Sequence, residues 1–479
     1  MRNRQLQRNV LSLVSGLMLV AFGVPTASAQ EDPEGKSGLR RWAEQDYMFG
    51  DWGGLRTDLS RRGVDFEFFY AASVPDNLSG GLRPGGVYQG ALLMTLDVDS
   101  EKLVGYEGGR FHASGLWLNG QKPFSDKYVG DLNKVNMLDF PNAARLWELW
   151  YQQKFLDDKL AVKLGVLSID RDFIVPDLYN SLGSFTLLNQ TFFFPTLAFD
   201  VYGIPFPGLP RTPYGLAATP NAAPGAVVRY EPIPQFYGVA GVYSGEPDQS
   251  YSGTQLPVSE AGGALAYYEI GYHLNAQTND TGLEGSYKLG GFYHTGQFLD
   301  VYDGVTASVL ASVGLPAPAV PTHAGDYGVY FLAEQQLFLE RGKSDPARQG
   351  LIGFFRVEGA PADRNLAQFG VDGGLVYKGL IPGRDWDTLA LGLSYLQISD
   401  DIRLAQQNAN ALASSLGVPA PFAKLADYEG VIELSYKAQL TAWWTLQPSV
   451  QRVLHPGGQI SPSAPGDAWV FILQTTLRF

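Results

Sequence analysis

The sequence predicts an all-β fold: a 16-stranded antiparallel transmembrane β-barrel with short periplasmic turns and long extracellular loops. Three observations carry this expectation. Segments of alternating apolar and polar residues recur along the chain. The connections between them alternate between long and short. The last segment, WVFILQTTLRF (469–479), alternates up to its final aromatic residue. In it Trp469, Phe471, Leu473, Leu477 and Phe479 fall on one strand face, and Gln474, Thr476 and Arg478 on the other. A closed barrel needs such a strand, because its last strand pairs with its first and turns an apolar face to lipid.

The elements follow in order. Arg2, Arg4 and Arg8 precede an apolar run from Val10 to Val24 and the small residues Ala27-Ser28-Ala29. Residues 1–29 therefore read as a removable signal peptide, the run being short for a membrane-spanning helix. Residues 30–63 read as a periplasmic N-terminal segment. Within it GDWGGLRTDLSRRG (50–63) suggests one short helix, with Leu55 and Leu59 on one face and Gly63 ending it. Strands are expected at 64–72, 90–99, 108–118, 144–155, 160–168, 225–231, 236–244, 263–273, 283–295, 326–338, 350–359, 368–378, 387–398, 428–440, 443–454 and 467–479. No long amphipathic helix is expected after Gly63.

The connections give the topology. LDDK (156–159), EPIPQ (231–235) and TAW (441–443) are short, whereas 169–224, 296–325 and 399–427 are long. Short turns at one end, long loops at the other and an even strand number are the pattern of outer-membrane barrels. A soluble sandwich has no reason to keep this parity. The stretch 360–367 is the exception, short where length is expected.

Composition narrows the functional class. The chain has 479 residues and no cysteine, which argues against a disulfide-stapled secreted fold. Its net charge of −13 argues against nucleic acid as a partner. The 25 Tyr and 9 Trp suit aromatic girdles, and the 56 Gly suit tight turns.

Sixteen strands leave an aqueous channel, so inward positions should be polar. The alternation points Asp97, Arg110, His112, Glu148, Lys163, Arg229, Glu269, Lys288, Glu334, Arg356, Glu358, Glu433 and Lys437 inward. A charge facing lipid costs roughly 2–4 kcal/mol at the midplane, which sets the strand register. Both signs are present. A lumen of one sign suits an ion-selective channel, whereas intermixed acids and bases suit a neutral solute whose hydroxyls donate and accept. The 169–224 connection adds rings for stacking: Phe173, Tyr179, Phe185, Phe192, Phe193, Phe194, Phe199, Tyr202, Phe206 and Tyr214. It also carries Asp170, Arg171, Asp172, Asn180, Asn189 and Arg211. A connection this long usually has a task of its own, and this one is expected to fold into or over the lumen as a constriction loop.

Several blocks carry a family likeness. GDWGGLRTDLSRRGV (50–64), RLWELWYQQKF (145–155), VEGAPADRNLAQFGVDGGLVYKGLIPGRDWDTLALGLSY (357–395) and YEGVIELSYKAQLTAWWTLQPSVQRVLHPGG (428–458) resemble the OprB-type carbohydrate-selective porins. The likeness extends over most of the mature chain, with DGGLVYKGLIPGR (372–384) its most specific stretch. The resemblance implies a sixteen-stranded outer-membrane barrel that admits glucose and related sugars by facilitated diffusion. It also implies a constriction of Arg, acidic and aromatic side chains, and in the matching blocks it singles out Glu148, Glu358, Asp372, Lys378, Glu433 and Lys437. Two features depart from the family. Ala442-Trp443 stands where a Pro-containing turn is common, and the Ala-, Val- and Pro-rich loops 296–325 and 399–427 are individual.

The pore and sugar-binding candidates are thus Arg110, Glu148, Lys163, Arg229, Arg356, Glu358, Asp372, Lys378, Glu433 and Lys437. The expected partners are sugars as solutes, outer-membrane lipid and lipopolysaccharide, and the barrel-assembly machinery through the strand ending in Phe479. Monomer and homotrimer both stay open. No cofactor and no metal is expected, since no metal-ligand spacing stands out among the five histidines. An enzyme is disfavoured. There is no Gly-x-Ser-x-Gly or His-Glu-x-x-His motif. Gly35-Lys36-Ser37 and Gly342-Lys343-Ser344 mimic the tail of a phosphate loop, but Gln30 and Leu337 stand where its first glycine belongs. The rival readings are a general diffusion porin and a barrel with a plugged lumen.

Overall fold

The computed structural model describes residues 38–121, 123–179, 185–193, 218–277, 280–340, 347–462 and 464–479. Residues 1–29, expected from the sequence to be a signal peptide, lie outside these. So do Asn180, Phe194, Phe199, Tyr202, Phe206, Arg211 and Tyr214 of the long loop, and the stretches 35–37 and 342–344. The chain forms two compact units, one ending at Glu44 and the other running from Gln45 to Phe479. The described part of the first is a short helix, α1 (Gly38–Ala43), with an exposed Arg40–Glu44 pair at 3.1 Å.

The second unit is built around one closed sheet. Its strands are β1 (Val64–Gly81), β2 (Gln89–Asp99), β3 (Gly109–Gly120), β4 (Ala143–Phe155), β5 (Leu160–Leu167), β6 (Ala223–Ile233), β7 (Phe236–Ser244) and β8 (Ala264–Leu274). They continue as β9 (Gly285–Leu299), β10 (Thr322–Leu339), β11 (Gly350–Gly359), β12 (Ala367–Lys378), β13 (Thr388–Ile398), β14 (Tyr428–Thr441), β15 (Trp444–Leu454) and β16 (Gly466–Arg478). Each pairs antiparallel with its neighbours in sequence, and β16 pairs with β1 to close the ring. A two-residue bridge, Gly85–Gly86, adds to the edge of β1 beside Asp76 and Asn77. Closure leaves no edge strand, so the wall satisfies its backbone groups without water.

The alternation sets the register as expected. In β14 Ile432 and Leu434 are 42% and 51% exposed on the lipid side, while Glu433 between them is fully buried on the inner side. The strand bounds follow the alternating segments closely, with one large extension. β1 continues past residue 72 to Gly81 because Ser73 and Asn77 still alternate inward and find partners there. Asn136 donates to the Ser73 hydroxyl at 3.1 Å, and Asn77 donates to the Tyr128 carbonyl at 2.9 Å.

Helices correct the sequence reading. A short turn of helix, α2 (Leu55–Arg61), precedes β1, and α3 (Ser100–Val104) sits in the β2–β3 turn. Two longer ones were not expected: α4 (Val301–Ser312) between β9 and β10, and α5 (Asp400–Ser415) between β13 and β14. Both have side-chain N-caps. Asp300 accepts from the Asp303 amide at 2.9 Å, and the Ser399 hydroxyl accepts from the Asp401 amide at 3.2 Å. Their apolar stripes are thin and meet each other and the nearby rim, Val305 of α4 and Ile402 and Ala405 of α5 clustering with Ile398 and Phe422. A thin, Ala-rich stripe gives little periodic signal in sequence.

Inside the barrel lies a second apolar zone. The described parts of the loops, 123–142, 168–179, 185–193 and 218–222, turn inward and join Val135, Met137 and Leu188 to an apolar cluster that includes Val470 and Ile472 of the inner wall, with Phe173 against Tyr243 and Tyr267. The lumen is therefore partly filled by its own loops.

Candidate pore constriction

What holds those loops is a set of wall carboxylates. Glu433 of β14 accepts the Leu188 and Asn189 amides at 2.7 and 2.8 Å. Glu334 of β10 accepts the Asp177, Leu178 and Tyr179 amides at 2.8, 2.8 and 3.1 Å. Glu269 of β8 accepts the Ile174 amide at 2.9 Å, and the Tyr237 and Tyr330 hydroxyls at 2.7 and 2.9 Å. The other inward loop hangs on Glu429, which takes the Leu132 and Asn133 amides at 2.8 and 2.7 Å. A carboxylate has about four acceptor positions, so two or three amides satisfy it and spare the loop buried, unpaired N–H groups. Arg356 of β11 completes the set: it pairs with Asp372 at 2.8 Å and donates to the Thr191 carbonyl. The Tyr179 ring stacks on Phe354 with centroids 3.9 Å apart.

The root of the 168–222 loop brings charges of both signs against the wall. Lys163 meets Asp172 at 2.6 Å, and Arg171 reaches Glu148 at 3.5 Å. Further along, Asp177 takes the Lys288 ammonium at 2.8 Å and the Ser286 hydroxyl at 2.5 Å, with His273 at 3.7 Å. Burial works to raise the Asp177 carboxyl, but Lys288, Ser286 and His273 outweigh it and hold it below the ordinary carboxylate range.

Aromatic faces lie between these charges. Across β2 to β5 the register sets Asp97, His112, Trp150 and Gly165 side by side. His112 Nδ1 donates to the Asp97 carboxylate at 2.9 Å and the ring stacks on Trp150 at 4.8 Å, while the Lys163 ammonium sits 4.8 Å from the Trp150 ring. Gly165 is required here: its φ is +149°, and a Cβ would lie 2.2 Å from the Leu149 carbonyl oxygen. A β-bulge in β4 pairs Ser114 with Glu148 but Gly115 with Leu146, which leaves Trp147 between. Two consecutive side chains, Trp147 and Glu148, are thereby both buried inward, and Arg171 lies 5.4 Å over the Trp147 ring.

The sequence candidates divide by surroundings. Lys163, Glu148 and Arg110 lie in this group, Arg110 half-exposed and paired with Asp97 at 2.8 Å. Arg229 pairs with Glu231 at 2.5 Å and lies 3.8 Å over Tyr237, next to His273. Glu433, Arg356 and Asp372 are buried where the loop is tied down. Glu358 is buried across Gly370. Lys378 and Lys437 flank Thr388 on either side of β13, with Lys378 4.7 Å over Trp386. Asp172, Arg171 and Trp150 join the group from outside the candidate set. The charged positions at the loop root carried the signal for the first two. The bulge carried none, because a strict alternation turns Trp147 toward lipid.

A closed sixteen-stranded barrel whose polar wall holds its own loops inside the lumen is the architecture of an outer-membrane diffusion channel, a porin. The match to known proteins is specific. The chain belongs to the carbohydrate-selective porin family OprB, whose match spans residues 83–479. It is 26% identical over 455 residues to Porin B of Pseudomonas aeruginosa, covering 92% of this chain and 93% of that one. Among solved structures, the high-pH structure of Pseudomonas putida OprB superimposes with a TM-score of 0.74 at 25% identity, covering 91% of this chain and 99% of that one. The low-pH structure of the same protein shares the fold, with a TM-score of 0.53 at 18% identity over the same shares. Family and fold are those of a bacterial outer-membrane channel for carbohydrate.

Proposed function

We propose that this porin passes mono- and small oligosaccharides by passive, substrate-selective diffusion, with a shallow binding site at the root of the 168–222 loop. The observation that carries this reading is the meeting of the Lys163–Asp172 and Arg171–Glu148 pairs beside the partly exposed Trp150 ring, with the buried Trp147 backing Arg171. A pyranose offers hydroxyls that donate and accept, and a C–H face that stacks on a ring. Paired charges of opposite sign replace its water shell without favouring an ion. Arg110 and Arg229 extend the polar track along the wall. Glu433, Arg356 and Asp372 act through the loop they hold, and Glu358, Lys378 and Lys437 contribute to the field of the lumen. Binding must be strong enough to draw the sugar in and weak enough to release it.

Single-channel conductance in a planar bilayer tests this reading. Glucose and a disaccharide should reduce the current in a saturable way, and a neutral non-sugar of similar size should not. Current indifferent to all three would make this a general diffusion pore. Absence of current would mean a plugged barrel.

A further inference from the structure

The segment before β1 wraps the outside of the barrel. The Met48 amide donates to the Arg478 carbonyl at 2.9 Å. Arg56 donates to the Phe66 carbonyl at 2.8 Å and to the Phe479 main-chain oxygen at 2.5 Å, so one guanidinium bridges the strands that close the ring. That guanidinium is stacked between rings, 3.8 Å from the Tyr47 centroid and 4.5 Å from that of Trp52. Phe49 stacks on Phe479 at 5.2 Å, and Trp52 packs on Phe68 at 6.4 Å. The turn is built for this. Asp51 accepts the Thr57 amide at 2.8 Å and its hydroxyl at 2.7 Å, and Gly53 and Gly54 take φ of +71° and +97°.

The side of the wall matters. In β1 the inward residues are Phe69, Ala71 and Ser73, all buried, so Phe66 and Phe68 face lipid. Phe479 continues the outward row of Trp469 and Leu473. The segment thus covers the lipid-facing side of the β1–β16 seam at its periplasmic end. Its own outer surface is apolar: Phe49 is 63% exposed, Leu55 52% and Trp52 38%. Asp58 and Arg62, paired at 2.9 Å, follow Leu55 along the same helix face and put charge beside these apolar side chains.

We propose that residues 47–61 form an interfacial strap that clasps the barrel seam and inserts Phe49, Trp52 and Leu55 into the headgroup–acyl boundary of the inner phospholipid leaflet. The apolar surface is continuous with the lipid-facing belt through Phe68 and Phe479, which identifies its occupant as lipid rather than a periplasmic protein. Aromatic rings are favoured at that depth, and an arginine stacked among them spans its polar and apolar zones.

Because the chain has no cysteine, single-cysteine nitroxide labelling of the full chain in phospholipid bilayers tests the strap directly. Labels at Phe49→Cys and Leu55→Cys should collide several-fold more with oxygen relative to a water-soluble nickel chelate than a label at Asp65→Cys, exposed on the inward row of β1, does. Equal ratios at the three positions would overturn the membrane contact. Adding Arg56→Ala to the Phe49→Cys chain should free the label, raising its mobility and nickel accessibility while the barrel keeps its heat-dependent gel shift. An unchanged label in that variant would overturn the clasp.

Discussion

At the scale of single residues, the pair Lys163–Asp172 beside Trp150 makes the sharpest demand on the proposed site. Lys163→Met removes a partly buried cation and leaves its carboxylate without a partner. Hydrogen bonds to charged groups are worth about 1.5–3 kcal/mol. Loss of one at the lower limit is expected to raise the glucose concentration that half-blocks the current about tenfold. The same variant should shift the reversal potential in a salt gradient toward cation selectivity, because Asp172 is then uncompensated. An unshifted potential with unchanged block would remove Lys163 from the pore site. Arg171→Lys separates charge from shape. It keeps the positive charge but loses the planar stack on Trp147, so it should weaken sugar block while leaving ion selectivity near that of the parent.

At the scale of the element, the described parts of the 168–222 loop are held inside the barrel by the wall, and Glu433 is one of their tethers. Glu433→Ala leaves the Leu188 and Asn189 amides without their acceptor. It is expected to raise open-channel conductance and to expose the loop to protease, while Glu433→Gln, which keeps one acceptor, should fall between. Conductance and limited proteolysis on the same preparations check this. Such tethers explain which parts of the structure were legible in sequence. Ile432-Glu433-Leu434 announces a strand and the side on which Glu433 lies, because lipid enforces alternation residue by residue. Nothing in that tripeptide announces that its carboxylate meets an amide 245 positions away. From sequence alone an inward glutamate looks like a pore ligand. The amides that occupy it belong to a loop with no periodicity. The Trp147 bulge was hidden for a related reason, since one extra residue in a ladder breaks the rule by which faces are read. The helices α4 and α5 were hidden because capping and a thin apolar stripe suffice for helices that pack on each other and on the barrel rim.

For the molecule as a whole, the closed ladder and the filled interior are separate structures. The wall needs nothing from the outer loops to complete its hydrogen bonds, since β1 pairs with β16. Excision of residues 400–415, with a short Gly/Ser bridge in their place, is therefore expected to leave a barrel that still migrates as the folded form on an unheated gel. Its conductance should stay close to that of the intact chain. Loss of the heat-dependent shift would show that α5 is part of the wall's stability. The inner packing has a different consequence. A substitution that melts the apolar packing of Val135, Met137 and Leu188 leaves a sound cylinder with a wider bore. Its failure is then an open leak in the cell envelope, admitting bulky toxic compounds while sugar uptake continues. Damage inside this barrel harms the cell through what it lets in.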